Sequence, residues 1–259
     1  MSFKLSKKSV EILHNLSSIN NMMMLVPGNE QSVSVKTANI YATAKLPDEI
    51  DSQFGMHDMN ALLGKFRLFG ENFDMNYDQS NARITISDDY AKVVVPTSDI
   101  KTIAVPKIGG SIGSDVHDIN FSITSANLNK MVDFMKVNGT DTVAFSKREE
   151  DNYIRIEGYV FDHVKENSLR GMKSEPVWFL RIKEADQDME PFKYYMKLGW
   201  KILDADYNVT IRQFIGAKQT SPENTNRMPA IQFDSENIRY ITVYLNVSEN
   251  QKGLHNVNA

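Results

Sequence analysis

Three lysines spaced four residues apart are the clearest candidates for direct chemistry in this chain. Lys193, Lys197 and Lys201 would form one stripe about 12 Å long if the segment is helical, with apolar residues on the opposite side. Ammonium groups in a row attract phosphate by charge alone and do not read a base sequence. The spacing therefore indicates binding of a polyanion rather than catalysis.

Positive charge also collects on three other predicted helices. An exposed lysine is common on any helix, so one helix alone indicates only a solvated face. Here all four predicted helices are net positive, although the whole chain carries a net charge of -4. This partition indicates a basic surface for phosphate groups. The candidate residues are Lys7, Lys8, Lys65, Arg67, Lys130, Lys136, Lys193, Lys197 and Lys201.

Residue patterns for catalysis are absent from the sequence. There is no cysteine, and the five histidines are scattered without metal-ligand spacing. No nucleophile motif of the GxSxG type occurs. The glycine-rich stretch 109–114 lacks the Lys-Ser/Thr ending of a phosphate-binding loop and indicates a linker. We therefore expect a protein that is not an enzyme and that uses no cofactor or metal.

Composition limits the class of protein. The chain has 259 residues, of which 41% are hydrophobic and 24% charged, as in ordinary globular proteins. No apolar run is long enough to cross a bilayer, and the first residues lack the apolar core of a signal peptide. Together with the absence of cysteine, these features predict a cytoplasmic protein without a membrane partner.

One supersecondary unit occurs twice in the chain. Residues Phe3–Asn20 and Phe121–Asn138 align without a gap at a constant offset of 118 residues. Each copy indicates a short apolar strand, a Ser6 or Thr124 N-cap, and a helix with apolar residues three apart. Turn residues between short apolar runs predict antiparallel hairpins in both halves. We therefore expect an α+β fold with two similar domains, each with two helices packed on antiparallel sheets.

The domain boundaries lie where the pattern of helices and hairpins is interrupted. We predict an N-terminal domain over residues 1–98, a connector over 99–120 and a C-terminal domain over 121–259 with a polar tail. In the second domain we predict the second helix from about Phe192 to Leu203, and polar loops at 162–175 and 218–228.

The order of these elements resembles a known family. The sequence is similar to the sliding clamps, or DNA polymerase processivity factors, of T4-like bacteriophages. The segments that carry the resemblance are KLSKKSVEILHNLSSIN, the HDMNALLGKF helix and the hairpins that lead to VVVPTSD.

The resemblance implies clamp-type domains that assemble into a closed ring around duplex DNA. Clamp rings have six similar domains, so two domains per chain imply a homotrimer with helices lining the hole and sheets outside. The implied partners are duplex DNA, a DNA polymerase, an ATP-dependent clamp loader and late-transcription factors. The protein would then act in the host cytoplasm, and the nine basic residues above would face DNA.

The same resemblance implies two protein-binding sites. Subunits would join edge to edge, with strand 90–95 of one chain beside strand 177–183 of the next. The residues expected in this interface are Tyr90, Val93, Val95, Val177, Phe179 and Arg181. A groove for partner peptides is expected near the connector, although a core role explains Val243 equally well. Its residues would be Ile100, Ile103, Val105, Tyr240 and Val243.

Three other interpretations remain open from the residues alone. A non-encircling module of the single-strand-binding type would use aromatic residues interleaved with lysines, as in Lys193-Tyr-Tyr-Met-Lys197. An enzyme of unrecognised type would need a catalytic constellation that the sequence does not display. A structural phage protein would form large assemblies.

Overall fold

Two compact units make up the computed structural model, which describes residues 2–35, 40–69, 73–103, 118–160, 175–185, 189–198, 201–212 and 230–243. Unit 1 comprises Met1–Gly110 together with Trp200–Leu203 and Glu236–Tyr240. Unit 2 comprises the rest of the chain. Two short segments that the sequence assigned to the second domain therefore belong to unit 1.

The described residues in the first part of the chain give unit 1 two helices and eight strands. In chain order these are β1 (Ser2–Phe3), α1 (Lys7–Ile19), β2 (Met23–Leu25), β3 (Gly28–Val35), β4 (Ile40–Ile50), β5 (Phe54–Met56), α2 (Met59–Phe66), β6 (Asp74–Asp78), β7 (Arg83–Ser87) and β8 (Lys92–Pro96). Antiparallel pairing joins β1, β6, β7 and β8 in that order, and it also pairs β2 with β5 and β3 with β4. Strand β8 lies at the edge of its four-stranded sheet, and a 3-10 turn at Ile100–Thr102 follows it.

The core of unit 1 forms because both helices present an apolar stripe to the strands. Ile12, Leu13 and Leu16 of α1 are at most 1% exposed. On the C-terminal side of α2, the ring of Phe66 stacks on that of Phe73 with centroids 5.0 Å apart. Burial of a side chain of this size stabilises the fold by about 1.5–3 kcal/mol. The charged residues of the two helices remain exposed.

Unit 2 contains one helix and eight strands among its described residues, and the last strand is shared with unit 1. They are β9 (Ile119–Ile123), α3 (Ser125–Asn138), β10 (Thr142–Lys147), β11 (Tyr153–Tyr159), β12 (Trp178–Glu184), β13 (Phe192–Lys197), β14 (Tyr207–Arg212), β15 (Ala230–Asp234) and the part of β16 (Ile238–Val243) that follows Tyr240. One antiparallel sheet has the order β12-β11-β10-β13, so β12 lies at its edge. Strand β14 pairs with both β9 and β15.

The repeated strand–cap–helix unit is confirmed. Ser6 caps α1 by accepting a hydrogen bond from the Ser9 N–H, and Thr124 caps α3 by accepting one from the Asn127 N–H. Each cap residue follows a short strand, as predicted. An oxygen side chain at this position satisfies an N–H that the helix itself leaves unpaired.

Only part of the apolar pattern plays the same role in the two copies. Leu16 is fully buried on α1, but its counterpart Phe134 is 39% exposed and Val137 is 83% exposed. The reason is that the buried side of α3 runs through Leu128, Met131 and Met135. The apolar spacing shared by the two copies therefore does not predict burial at the end of α3.

The predicted helix from Phe192 to Leu203 is also wrong. Residues Phe192–Lys197 form β13, which pairs antiparallel with β10. A spacing of four is even, so it places lysines on one side of a strand as well as on one side of a helix. Phe192, Tyr194 and Met196 are buried and share one side of this strand, whereas Lys193 and Lys197 lie on the other side.

Candidate nucleic-acid interface

A carboxylate from another strand stabilises the start of α1. Asp48 on β4 accepts hydrogen bonds of 2.6 Å from the backbone N–H of Ser6 and from the hydroxyl of Ser9. Partial burial by itself raises the pKa of Asp48, but the hydrogen bonds from Ser6 and Ser9 outweigh it and hold that pKa below its usual value. Asp48 is therefore negative at neutral pH, close to the positive end of the helix macrodipole.

This negative charge explains how α1 can begin with two lysines. Lys7 and Lys8 occupy its first turn, where a positive charge opposes the macrodipole. Both side chains are exposed, and Lys8 makes an exposed ion pair of 3.8 Å with Glu11. The carboxylate of Asp48 offsets the unfavourable placement without covering the lysines.

Helix α2 adjoins one flank of α1 through polar contacts. The Ser17 hydroxyl donates a 2.7 Å hydrogen bond to Oδ1 of Asn60, and the Met59 N–H donates to the carbonyl of Asn21 at 2.9 Å. Lys65 and Arg67 are exposed at the C-terminal end of α2. Positive side chains are favoured there by the helix dipole.

Lys201 reaches the other flank of α1 although it is not on a helix. The side-chain amide of Asn15 donates a 2.8 Å hydrogen bond to the backbone carbonyl of Lys201. The Lys201 side chain itself is exposed. The prediction that this lysine belongs to a helical stripe is wrong, yet it still lies beside a helix.

Five cations of unit 1 thus lie on α1 or on segments that contact it. We call them the basic face: Lys7, Lys8, Lys65, Arg67 and Lys201. All five are exposed, and in the part of the chain that the structure describes only Lys8 has an ion-pair partner within 4 Å. Exposed unpaired ammonium and guanidinium groups keep their charge available for phosphate.

In unit 2, α3 carries Lys130 and Lys136. Both are exposed. The helix start is held by Asp206, which accepts a 2.7 Å hydrogen bond from the Ser125 N–H, and by the Ser125 hydroxyl, which donates to Asp204. The helix ends at Gly139, whose φ of 61° is in the left-handed region that favours glycine.

Lys193 and Lys197 lie on the opposite side of their sheet from α3. Trp178 contacts Phe134 of α3, so the side of the sheet that carries Trp178 and its partner Gly158 faces that helix. Gly158 pairs with Val143 of β10, and Lys193 pairs with Ser146 of the same strand. Val143 and Ser146 are three residues apart, so Lys193 lies on the other side of the sheet. Because residues two apart share a side of a strand, Lys197 lies there too. These two lysines therefore do not lie on the same surface as the lysines of α3.

Lys193 is held in a buried ion cluster. Its ammonium is 3.1 Å from Oε2 of Glu157, which is fully buried and also accepts a 2.5 Å hydrogen bond from the Tyr159 hydroxyl. Burial raises the pKa of Glu157, but the hydrogen bond from Tyr159 and the charge of Lys193 outweigh it and keep that pKa below its usual value. Arg148 pairs with the same carboxylate at 3.1 Å. The cluster compensates buried charge and leaves Lys193 little access to a phosphate.

The strands predicted to join subunits are both sheet edges. On β8, Val94 is 49% exposed and Val95 is buried, with Val93 between them in exposure. On the β12 side, Val177 and Phe179 are about half exposed, at 53% and 50%.

Tyr90 and Arg181 flank these two edges. Tyr90 is 96% exposed but precedes β8, which begins at Lys92, rather than lying in a strand as predicted. Arg181 is exposed and stacks over the ring of Tyr153, 4.2 Å from its centroid.

The residues predicted for a partner-peptide groove are not all at the surface. Ile100 is 41% exposed, but Ile103 is only 5% exposed and approaches Gly55 closely. Tyr240 is fully buried, so its placement in an open groove is wrong. Val105 and the side chain of Val243 lie outside the described residues, as do nearly all of the predicted loops and the tail.

The described residues hold no group of three or more His, Asp or Glu that could bind a metal ion. Among the same residues, no helix is both long and apolar enough to cross a bilayer.

Sequence reasoning missed Asp48, Asn15 and Glu157. The signal for Asn15 was a polar residue on the apolar side of a predicted helix, between Leu13 and Leu16. Asp48 and Glu157 carried no comparable signal, because their partners are distant in sequence or on a neighbouring strand.

Solved structures that share this fold include PCNA proteins and beta subunits of DNA polymerase III. A PCNA of A. fulgidus matches 96% of this chain and 99% of its own, with a TM-score of 0.57 and 12% identity. The Proliferating Cellular Nuclear Antigen of Entamoeba histolytica matches 95% of this chain and 98% of its own, with a TM-score of 0.59 and 11% identity. The DNA polymerase III subunit beta of Pseudomonas aeruginosa matches 95% of this chain but only 65% of its own, at 0.57 and 9%. The fold is therefore that of the sliding clamps.

Curated relatives confirm the resemblance to the sliding clamps of T4-like bacteriophages. The sliding clamp of Escherichia phage RB69 is 26% identical over 209 residues, which cover 80% of this chain and 86% of the relative. The sliding clamp of Enterobacteria phage T4 is 24% identical over 239 residues, which cover 90% of this chain and 98% of the relative. No family model matches the chain.

Proposed function

We propose that this chain is a sliding clamp, a processivity factor that encircles duplex DNA and tethers a DNA polymerase to it. The single observation that carries the proposal is the basic face: five exposed cations on or beside α1, in a chain whose net charge is -4. The similarity to the two phage clamps supports the same function. Lys130 and Lys136 of α3 are the further residues that we propose to face DNA.

The strength of non-specific phosphate binding explains why such a surface works in a ring. Non-specific phosphate contacts give dissociation constants of about 10⁻⁴ to 10⁻⁶ M at physiological salt. Binding of that strength is too weak to hold a polymerase through long synthesis. A closed ring supplies retention by topology, while weak lysine contacts allow the protein to slide.

We propose that three chains close the ring edge to edge. Strand β8 of one chain would pair with β12 of the next, because both are sheet edges that carry half-exposed apolar side chains. Unpaired edges of this kind invite pairing with another chain. Val94 and Phe179 would then be removed from water, and Tyr90, Val93, Val95, Val177 and Arg181 complete the proposed interface.

The proposed partners follow from the same similarity. A polymerase and a clamp loader would bind the ring, and late-transcription factors would share it, in the cytoplasm of a phage-infected host. One structure of similar fold contains the C-terminal region of FEN-1 bound to a PCNA. By analogy we propose that partner peptides dock near Ile100, the exposed member of the predicted groove.

The non-encircling single-strand-binding alternative has less support. It would need exposed aromatic rings on which bases stack. Tyr194 and Tyr195, the aromatic residues between the two lysines of β13, are 5% and 3% exposed.

Topology is the property that tests the proposal. The protein is mixed with a nicked circular plasmid or with the same plasmid linearised, and unbound protein is removed by gel filtration at raised salt. A clamp stays on the circle and slides off the linear form, and cutting the circle releases it. Equal retention on both forms would contradict encirclement. Light scattering at high protein concentration should give a mass near three chains of 29.5 kDa each.

A further inference from the structure

Asn15 is a polar residue at a buried position of α1. It is 3% exposed and has Ile12, Leu13 and Leu16 as neighbours on the same helix. Both polar atoms of its amide are used. Its nitrogen donates to the carbonyl of Lys201 at 2.8 Å, and its oxygen accepts a 2.5 Å hydrogen bond from the hydroxyl of Tyr240.

The hydroxyl of Tyr240 extends this network back to the segment that contains Lys201. It accepts a 3.0 Å hydrogen bond from the backbone N–H of Leu203. Tyr240 is fully buried and Leu203 is partly buried. Asn15 and Tyr240 therefore hold residues 201–203 at two backbone points, one carbonyl and one N–H.

Helix packing alone does not require an asparagine here. A buried amide is unfavourable unless its hydrogen bonds are made, whereas an apolar residue of similar volume would serve the core. An asparagine adds geometric specificity, because its amide donates a hydrogen bond to one particular backbone carbonyl. The residue thus fixes the path of 201–203 rather than the packing of α1.

The position of Asn15 on α1 determines where Lys201 lies. Lys8 and Asn15 are seven residues apart, so they share one flank of the helix, about 10 Å apart along its axis. On the other flank, Ser17 contacts Asn60 of α2. The basic face is therefore assembled around α1, with α2 on one flank and Lys201 on the other.

We infer that Asn15 is a positioning residue that seats Lys201 on the DNA-facing side of α1. This inference rests on the proposed function. The lysine would otherwise stand on an irregular segment that follows β13, with no helix to orient it. Through Asn15, a cation from late in the chain joins the phosphate-binding surface of the first helix.

The test measures how duplex binding depends on salt for Asn15→Leu, Lys201→Met and the double variant. Loss of one phosphate contact lowers the slope of log affinity against log salt concentration by about 0.9. We expect each single variant to lose about that amount and the double variant to lose no more. The matched control is Gln31→Leu, which removes another buried side-chain amide of unit 1, one that bonds the backbone of Val26, and should leave the slope unchanged.

Each of the remaining results would contradict one part of the inference or of the proposed function. A wild-type slope in Asn15→Leu, or losses that add in the double variant, would make Asn15 merely structural. An unchanged slope in Lys201→Met would remove Lys201 from the interface while plasmid retention could still support the clamp. If the wild type does not bind duplex DNA, the proposed function fails and the inference with it.

A milder variant keeps the inference testable if Asn15→Leu does not fold. Tyr240→Phe removes the hydroxyl that holds Asn15 and the Leu203 N–H, but it keeps the aromatic ring in the core. We expect it to lower the slope when Lys201 is present and to have no effect on the slope in Lys201→Met. An unchanged slope in both backgrounds would overturn the inference.

Discussion

Replacement of Asp48 by asparagine should destabilise the start of α1, on which Lys7 and Lys8 lie. The carboxylate accepts two 2.6 Å hydrogen bonds, from the Ser6 N–H and the Ser9 hydroxyl. Asparagine keeps one acceptor oxygen but loses the negative charge. The variant therefore tests the charge more than the shape of the side chain.

The expected loss follows from two contributions. A charge near a helix end contributes about 0.3–1 kcal/mol, and hydrogen bonds to a charged group are stronger than neutral ones by about 1 kcal/mol. Because Asp48 is only partly buried, solvent screens part of this, and we expect a loss of about 1 kcal/mol at pH 7. For a chain of this size the melting temperature would fall by about 2–4 °C.

Dependence on pH gives the sharper signature. The pKa of Asp48 is lowered in the folded protein, so its stabilisation is complete above the unfolded value near 4. It is lost as the pH falls through the folded value. The difference in melting temperature between wild type and Asp48→Asn should therefore shrink as the pH falls from about 5 to about 3.

Thermal unfolding followed by circular dichroism measures this difference. Glu49→Gln is the matched control, since it removes the same charge from the next residue of β4, which is exposed. The control should shift the melting temperature by much less. An equal shift in both variants, or a difference for Asp48→Asn that does not change with pH, would refute the role of the carboxylate.

Three further predictions concern other parts of the chain. Lys193→Met should destabilise the protein by about 2 kcal/mol, because it leaves Glu157 with one ion-pair partner fewer, yet leave the salt slope of duplex binding unchanged. Lys65→Met should lower that slope and leave the stability unchanged. Urea unfolding measures the stability, and a filter-binding titration measures the slope. Phe179→Asp should shift the mass measured by light scattering towards that of one chain, without lowering the melting temperature of the isolated chain. An unchanged trimer would exclude β12 from the interface. Gly139→Ala should lower the stability by about 1 kcal/mol, since φ is 61° at this position, and an unchanged urea midpoint would contradict the strain.

The repeated unit was predictable because its signals are local. Ser6 and Thr124 can cap a helix wherever an oxygen side chain precedes an apolar stripe of period 3.6. The structure has both caps and both helices at these positions. Antiparallel hairpins in both halves, such as β6–β7 and β10–β11, were predictable for the same reason, since turn residues separate short apolar runs.

The identity of the segment that contains Lys193 and Lys197 was not predictable from spacing. Lysines four apart share a side in a helix and in a strand alike, so the pattern does not distinguish the two. The pairing of Phe192–Lys197 with β10, which is distant in the sequence, decided in favour of the strand. With it, Lys193 became the partner of the buried Glu157 rather than an exposed cation.

By itself the sequence determined the α+β composition, the duplicated helix unit and the sign of the charge on its helices, because caps, apolar periods and charges are properties of neighbouring residues. Tertiary structure alone decided which cations form one surface. Asn15 bonds the backbone of Lys201 beside α1, whereas Glu157 holds Lys193 in a buried ion cluster. Both outcomes depend on contacts between residues far apart in the chain or on neighbouring strands, and no local pattern encodes such contacts.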